Sequence, residues 1–252
     1  MDSLSPGHSL VTPRAPWITR FWDTLWWGVF IFAAMFAGQI AVVLWFVLRR
    51  EGPLDLAALI QAVGSGLTIS LSVIMGLPAV VAACWIATRA MRVPFADYLG
   101  LRWTSWKNVA IGVVALVVLV EGWDLLSHTL GREITPGFMG EVLKSAQADG
   151  ALWLLAIAFC VAAPVSEEFF ARGFLYRGWS ESVVRPAGAV VLSSLVWTSL
   201  HLQYDWFFCG EVFSIGLLFG YLRHRTGSTW LTIVLHGLNN FAATLQSMWL
   251  AG

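Results

Sequence analysis

The sequence predicts an all-α integral membrane protein, a bundle of about seven to eight transmembrane helices. Three observations carry that expectation. Mean hydropathy is +0.73. Of the 252 residues, 58% are hydrophobic and 12% charged, and that charged share is about half of what a soluble domain carries. Apolar runs close to the ~20 residues that a crossing helix needs recur along the chain. Trp22, Trp26, Trp27, Trp106, Trp179, Trp206 and Trp230 lie at the ends of those runs, the interfacial level that indole rings favour. A net charge of zero argues against nucleic acid as a partner. Cys84, Cys160 and Cys209 fall within apolar runs and lack CxxC spacing, so buried small side chains are expected rather than disulfides or a thiolate metal site.

Taken in order, Met1 to Phe21 is polar, contains Pro6, Pro13 and Pro16, and reads as a disordered cytoplasmic tail. No short apolar region with a small-residue cleavage site precedes the first long run, so that run is expected to be a permanent anchor. The expected spans are Leu25–Leu48, Leu67–Ala87, Val109–Leu126, Ala151–Ser166 running on as helix, Ala187–Leu202, Trp206–Leu222 and Thr229–Leu250. Pro53 to Gly64 is too short and interrupted to cross, and it is expected to lie in the interface, as is Gly137 to Asp149. Residues 22–150 form a first set of helices without motifs, and residues 151–252 carry the motifs. Both are expected to belong to one bundle.

Cationic residues set the orientation. With the N-terminus inside, the inner segments carry Arg14, Arg20, Arg89, Arg92, Arg102, Lys107, Arg172, Arg177, Arg185, Arg223 and Arg225, eleven in all. The outer segments carry four: Arg49, Arg50, Arg132 and Lys144. That bias places the N-terminus in the cytoplasm and the C-terminus outside.

Five polar residues, Glu167, Glu168, His201, His236 and Asn240, sit inside or against these apolar runs. Each would cost several kcal/mol facing lipid. They make sense if they converge on a shielded, wetted cavity. At i,i+4 on a helix, Glu168 and Arg172 can form an ion pair, while Glu167 points about 100° away. Desolvation of the second carboxylate would suit it to act as a general base. The bland alternative is a pair of snorkelling interfacial glutamates. His201 follows Trp197 by one turn, and a lone histidine near a helix end is more often a satisfied interfacial residue. His236 and Asn240 share one face of the last span. They can donate two hydrogen bonds to a developing oxyanion, ligate a metal through the imidazole, or bond between packed helices.

Together, EExxxR at Glu167–Arg172, aromatic-xxx-His at Trp197–His201 and HxxxN at His236–Asn240, in that order on successive spans, resemble the CPBP family. That family comprises intramembrane proteases, including type II CAAX-prenyl endopeptidases and bacteriocin-processing or self-immunity proteins. The stretch from Gly216 to Trp230 is also similar to that family's approach to its last motif, and the resemblance covers roughly residues 150–245. It implies an α-helical bundle with an intramembrane catalytic cavity that hydrolyses a peptide bond in a membrane-anchored or C-terminal substrate, prenylated and CAAX-like among the options. Carried over, Glu167 and His201 activate water, His236 and Asn240 stabilise the oxyanion, and Glu168 and Arg172 orient the site. The family is commonly labelled metalloprotease, which would make Glu167, His201 and His236 zinc ligands with an open fourth position. The HExxH helix of soluble zinc proteases is missing, and metal-independent chemistry is the expectation. The implied partners are membrane lipid and a peptide or lipidated protein substrate.

Trp197 stands where phenylalanine is commoner in that family, a change expected to affect packing more than chemistry. Glu121, Asp124 and Glu211 have no family role, and they are expected at a second wet region or at the interface. Gly216 and Gly220 read as a close helix contact, and His224 as a solvated loop residue. Arg172, Arg177, Arg185, Arg223 and Arg225 are expected to gather as a basic rim at a cavity opening sideways or toward the cytoplasm. The alternatives to an endopeptidase are a proton-coupled transporter or channel, since intramembrane acids and histidines also build proton relays, and an idle scaffold that keeps the fold. Neither an inverted repeat nor a matched pair of interrupted helices supports transport. One difficulty remains. At 1.5 Å per residue, Glu167 lies about 24 Å from Ala151 and His201 about 24 Å from Arg185, which would put them toward opposite faces.

Overall fold

The computed structural model describes residues 17–49, 55–135 and 137–251, and the regular structure among them is helical. The order is α1 (Trp17–Arg49), α2 (Leu56–Gly64), α3 (Gly66–Ala90), α4 (Phe95–Leu99), α5 (Trp106–Thr129), α6 (Gly137–Ala148), α7 (Leu152–Ser180), α8 (Arg185–Thr198), α9 (Trp206–Thr226) and α10 (Thr229–Ala251). The expected polar tail lies outside the described residues as far as residue 16. Its last five residues belong to α1, because Trp17, Ile18 and Phe21 already continue the apolar pattern.

Among the described residues, five helices are long and apolar enough to cross a bilayer: α1 from Arg20, α3, α5, α7 and α9. Two of the seven expected spans are not among these five. Ala187–Leu202 becomes α8, only 14 residues, followed by a 3-10 turn at Ser199–His201. At about 21 Å of helix it is too short to cross. Thr229–Leu250 does form one helix of 23 residues, α10. Its hydropathy is lowered by His236, Asn239, Asn240 and Gln246, all facing the bundle interior. Nor does α6 lie apart in the interface. Val142, Leu143 and Ala146 are buried, and Ser145 accepts a hydrogen bond from the Gly66 backbone N–H at 3.0 Å, so α6 is clamped to the start of α3.

The central element is α7, 29 residues long. It is an α-helix interrupted by two wider π-helical segments, Ala158–Ala162 and Phe169–Leu175, one on each side of Glu167 and Glu168. Pro164 explains the first. The Ala163 N–H bonds back five residues to the Ala158 carbonyl, and in that register Phe159 would need an N–H at position 164. Proline has none. The second half of α7, Phe169 to Tyr176, is buried on all sides. It continues well past the glutamates, which resolves the difficulty of depth: Glu167 lies about 20 Å from Ser180 and His201 about 24 Å from Arg185, so both reach the same level from the turn at 181–184.

Two glycines let neighbours approach. A Cβ at Gly237 would stand 2.7 Å from the Cys160 carbonyl, so only glycine permits α10 to press on the first π segment. At Gly216 a Cβ would meet Ser194 Cβ at 3.0 Å and Trp197 Cε3 at 3.2 Å, and at Gly220 Val190 at 2.9 Å, the close α8–α9 contact that the spacing predicts. Replacing Gly216 with valine should lower stability by about 1–3 kcal/mol through overpacking. Thermal unfolding of the detergent-solubilised variant checks this; an unchanged midpoint would show that the α8–α9 contact yields freely.

Candidate active site

Glu168 and Arg172, one turn apart on α7, form an ion pair at 2.9 Å with both side chains fully buried. The same carboxylate oxygen, Glu168 Oε1, accepts from His236 Nδ1 at 3.1 Å. Arg172 also donates to the Gly216 carbonyl at 3.2 Å, and its guanidinium lies 4.3 Å over the Trp197 ring and 5.5 Å over Phe219. One pair thus ties α7 to α8, α9 and α10.

Glu167 points elsewhere, as the helical offset predicts. Its Oε2 accepts from Trp197 Nε1 at 2.6 Å and lies 3.9 Å from His236 Nε2, with 16% of the side chain exposed. His201 sits in the 3-10 turn after α8, and its Nδ1 donates to the Trp197 carbonyl at 3.2 Å. That bond leaves Nε2 free as a base. Asn240 Nδ2 donates to the Phe159 carbonyl at 2.8 Å, the acceptor that Pro164 leaves without an intrahelical donor. One N–H of the amide remains.

Glu167, His201, His236 and Asn240 all line one cavity of about 550 Å³. Glu121, Asp124 and Glu211 line it too. Asp124 accepts from Gln246 at 2.7 Å, which fastens α5 to α10 beside the cavity. Most lining residues come from the half of their helix farther from the basic end that holds Arg20, Arg89, Arg102, Lys107, Arg177 and Arg223, while Glu167, His236 and Asn239 fall in the nearer half. Examples are Gln39 on α1, Ile69 on α3, Phe138 on α6, Gln203 after α8 and Gln246 on α10. This overturns the expected basic rim. Arg172 is sealed in its pair. Arg177 binds Glu181 at 2.6 Å. Arg223 is 5% exposed and donates to the Arg172 carbonyl at 3.2 Å. Nor is His224 a loop residue: it lies in the last turn of α9, with Nδ1 2.9 Å from the Tyr176 hydroxyl.

The same geometry tests the metal reading. Among the described residues, no three His, Cys, Asp or Glu side chains group closely enough to hold a metal ion.

Residues 149–242 match the family described as Rce1-like, type II CAAX prenyl endopeptidase Rce1-like. The match is consistent with the CPBP resemblance of the three motifs and spans α7 through most of α10. At family level it supports a CAAX-type intramembrane protease. Comparison with curated proteins and with solved structures gives no match. All six motif residues, Glu167, Glu168, Arg172, His201, His236 and Asn240, fall within the Rce1-like region. Sequence reasoning passed over two features of that region: the indole nitrogen of Trp197, treated as a packing ring, and Pro164, whose missing N–H signals a free carbonyl about two turns before Glu167.

Removing one charge from the buried pair, by Glu168→Gln or Arg172→Met, should cost about 3–5 kcal/mol, because the other charge stays buried without its partner. Breaking the exposed Arg132–Asp205 pair should cost under about 1 kcal/mol. Denaturant or thermal unfolding in detergent compares the two. Equal losses would mean that the interior pair is solvated.

Proposed function

We propose that the protein is an intramembrane endopeptidase in which Glu167 and His201 activate a water molecule. The convergence of Glu167, His201, His236 and Asn240 from three separate elements on one cavity carries this reading. The Glu167 carboxylate takes a proton from water, the resulting hydroxide adds to the peptide carbonyl, and the tetrahedral oxyanion accepts hydrogen bonds from His236 and the remaining Asn240 N–H. In that role both ring nitrogens of His236 carry protons, Nδ1 toward Glu168 and Nε2 toward the oxyanion. Collapse breaks the C–N bond, and the departing amine takes the proton back from Glu167 or through His201. Glu168 and Arg172 hold His236 in place. No step is routed through a metal.

The substrate reading follows from the lining. Its described residues include four carboxylates, Glu121, Asp124, Glu167 and Glu211, and no lysine or arginine. No lysine or arginine of the described lining would hold a free C-terminal carboxylate, which favours cleavage within a membrane-anchored segment over trimming of a terminus. The excess of basic residues at the opposite end favours a cytoplasmic N-terminus, so the cavity extends from the middle of the bundle toward the non-cytoplasmic side.

Reconstituted protein given a panel of membrane-anchored and prenylated peptides should cleave at least one of them. Glu167→Ala or His201→Ala should lower turnover by about 10²–10⁴-fold while the protein remains folded. Near-normal proteolysis by Glu167→Ala would sink the mechanism. Chelation followed by removal of the chelator should leave activity unchanged, whereas loss restored by zinc alone would reassign Glu167, His201 and His236 as ligands. A single cysteine at Gln203, with Cys84, Cys160 and Cys209 replaced, should react with a membrane-impermeant thiol reagent from the face opposite the basic end. Labelling only from the basic face would reverse the proposed orientation of the cavity.

A further inference from the structure

Trp197 is held on several sides at once. Its ring lies edge-on to His201 at 5.1 Å and to His236 at 5.3 Å, carries the Arg172 guanidinium on its face at 4.3 Å, and packs against the glycine gap at Gly216. The side chain is 3% exposed. A buried indole N–H needs an acceptor, and here it donates to Glu167 Oε2 at 2.6 Å. The same oxygen stands 3.9 Å from His236 Nε2, beyond hydrogen-bond range.

We propose that Trp197 is a positioning residue whose indole N–H holds the Glu167 carboxylate toward the cavity and apart from His236. The inference rests on Glu167 being the group that activates water. Without the N–H, Oε2 is free to close the gap to His236 Nε2. The base and the oxyanion donor then bond to each other instead of to water and substrate. A phenylalanine fills much of the same space and cannot make this bond. The tryptophan at this position is therefore a change in chemistry as well as in packing.

The test separates the N–H from the ring. Trp197→3-benzothienylalanine keeps the bicyclic shape and replaces the N–H with sulfur, while Trp197→Phe removes both. In the benzothienyl variant kcat should fall roughly 10- to 100-fold, the cost of a base misplaced by about an ångström, with KM within about twofold of wild type. The infrared carboxylate band assigned to Glu167, from the difference between wild type and Glu167→Gln, should shift in the same variant, whether or not a substrate is known. An unchanged band, or wild-type kcat beside an inactive Glu167→Ala, would overturn the role of Trp197 and leave the water-activating reading standing. Full activity in Glu167→Ala would overturn that reading itself.

Discussion

Glu168 and Arg172, a carboxylate and a guanidinium without solvent exposure, meet at 2.9 Å in the middle of a hydrophobic bundle. Burying either charge alone would cost several kcal/mol. Here the cost is offset only because every neighbouring element contributes: α10 through His236, α9 through the Gly216 carbonyl and the Phe219 ring, α8 through the face of Trp197. Four helices are thus bound to one arrangement. Moving any of them exposes a charge to hydrocarbon. The pair sets the orientation of His236 and Trp197, and those two side chains in turn set the surroundings of Glu167.

The backbone of α7 makes room for this. Consecutive glutamates on a helix point about 100° apart, so one turns into the sealed pair and its neighbour into the cavity. The π segments on either side widen the helix locally, a distortion common near functional sites. Each leaves a carbonyl to be satisfied from outside: Asn240 answers Phe159, and Arg223 answers Arg172. Both donors come from later helices, so the irregular backbone is stable only in the assembled bundle. Asn240 accordingly has a structural duty beside the chemical one proposed for it.

Charge is sorted between the two ends of the molecule. At the basic end the arginines serve the architecture: Glu181 takes both Arg20 and Arg177, Arg102 donates to the Gly227 carbonyl, and Arg223 is buried. The cavity and its carboxylates extend from the middle of the bundle toward the other end. A polypeptide entering there meets acids, amides and histidines on apolar walls, conditions in which hydrogen bonds to a developing oxyanion are worth more than in water.

Much of this was legible from the chain because hydrocarbon makes polar residues conspicuous. Glu167, Glu168, His201, His236 and Asn240 interrupt apolar runs, and the Glu168–Arg172 spacing is a local helical property. Both follow from composition and the 3.6-residue turn. The all-helical class follows equally, since each backbone group in lipid must bond within its own segment. Tertiary structure alone decided the rest. Whether α8 crosses the bilayer depended on where the turn at 181–184 comes to lie, and that depended on how far the buried second half of α7 runs beyond Glu168. That Trp197 is a hydrogen-bond donor to Glu167 rather than a packing ring depended on two helices meeting 30 residues apart in sequence. Hydropathy and periodicity report what a side chain avoids and which face of its helix it shares; the partner it meets is set by packing between helices, which no local pattern encodes.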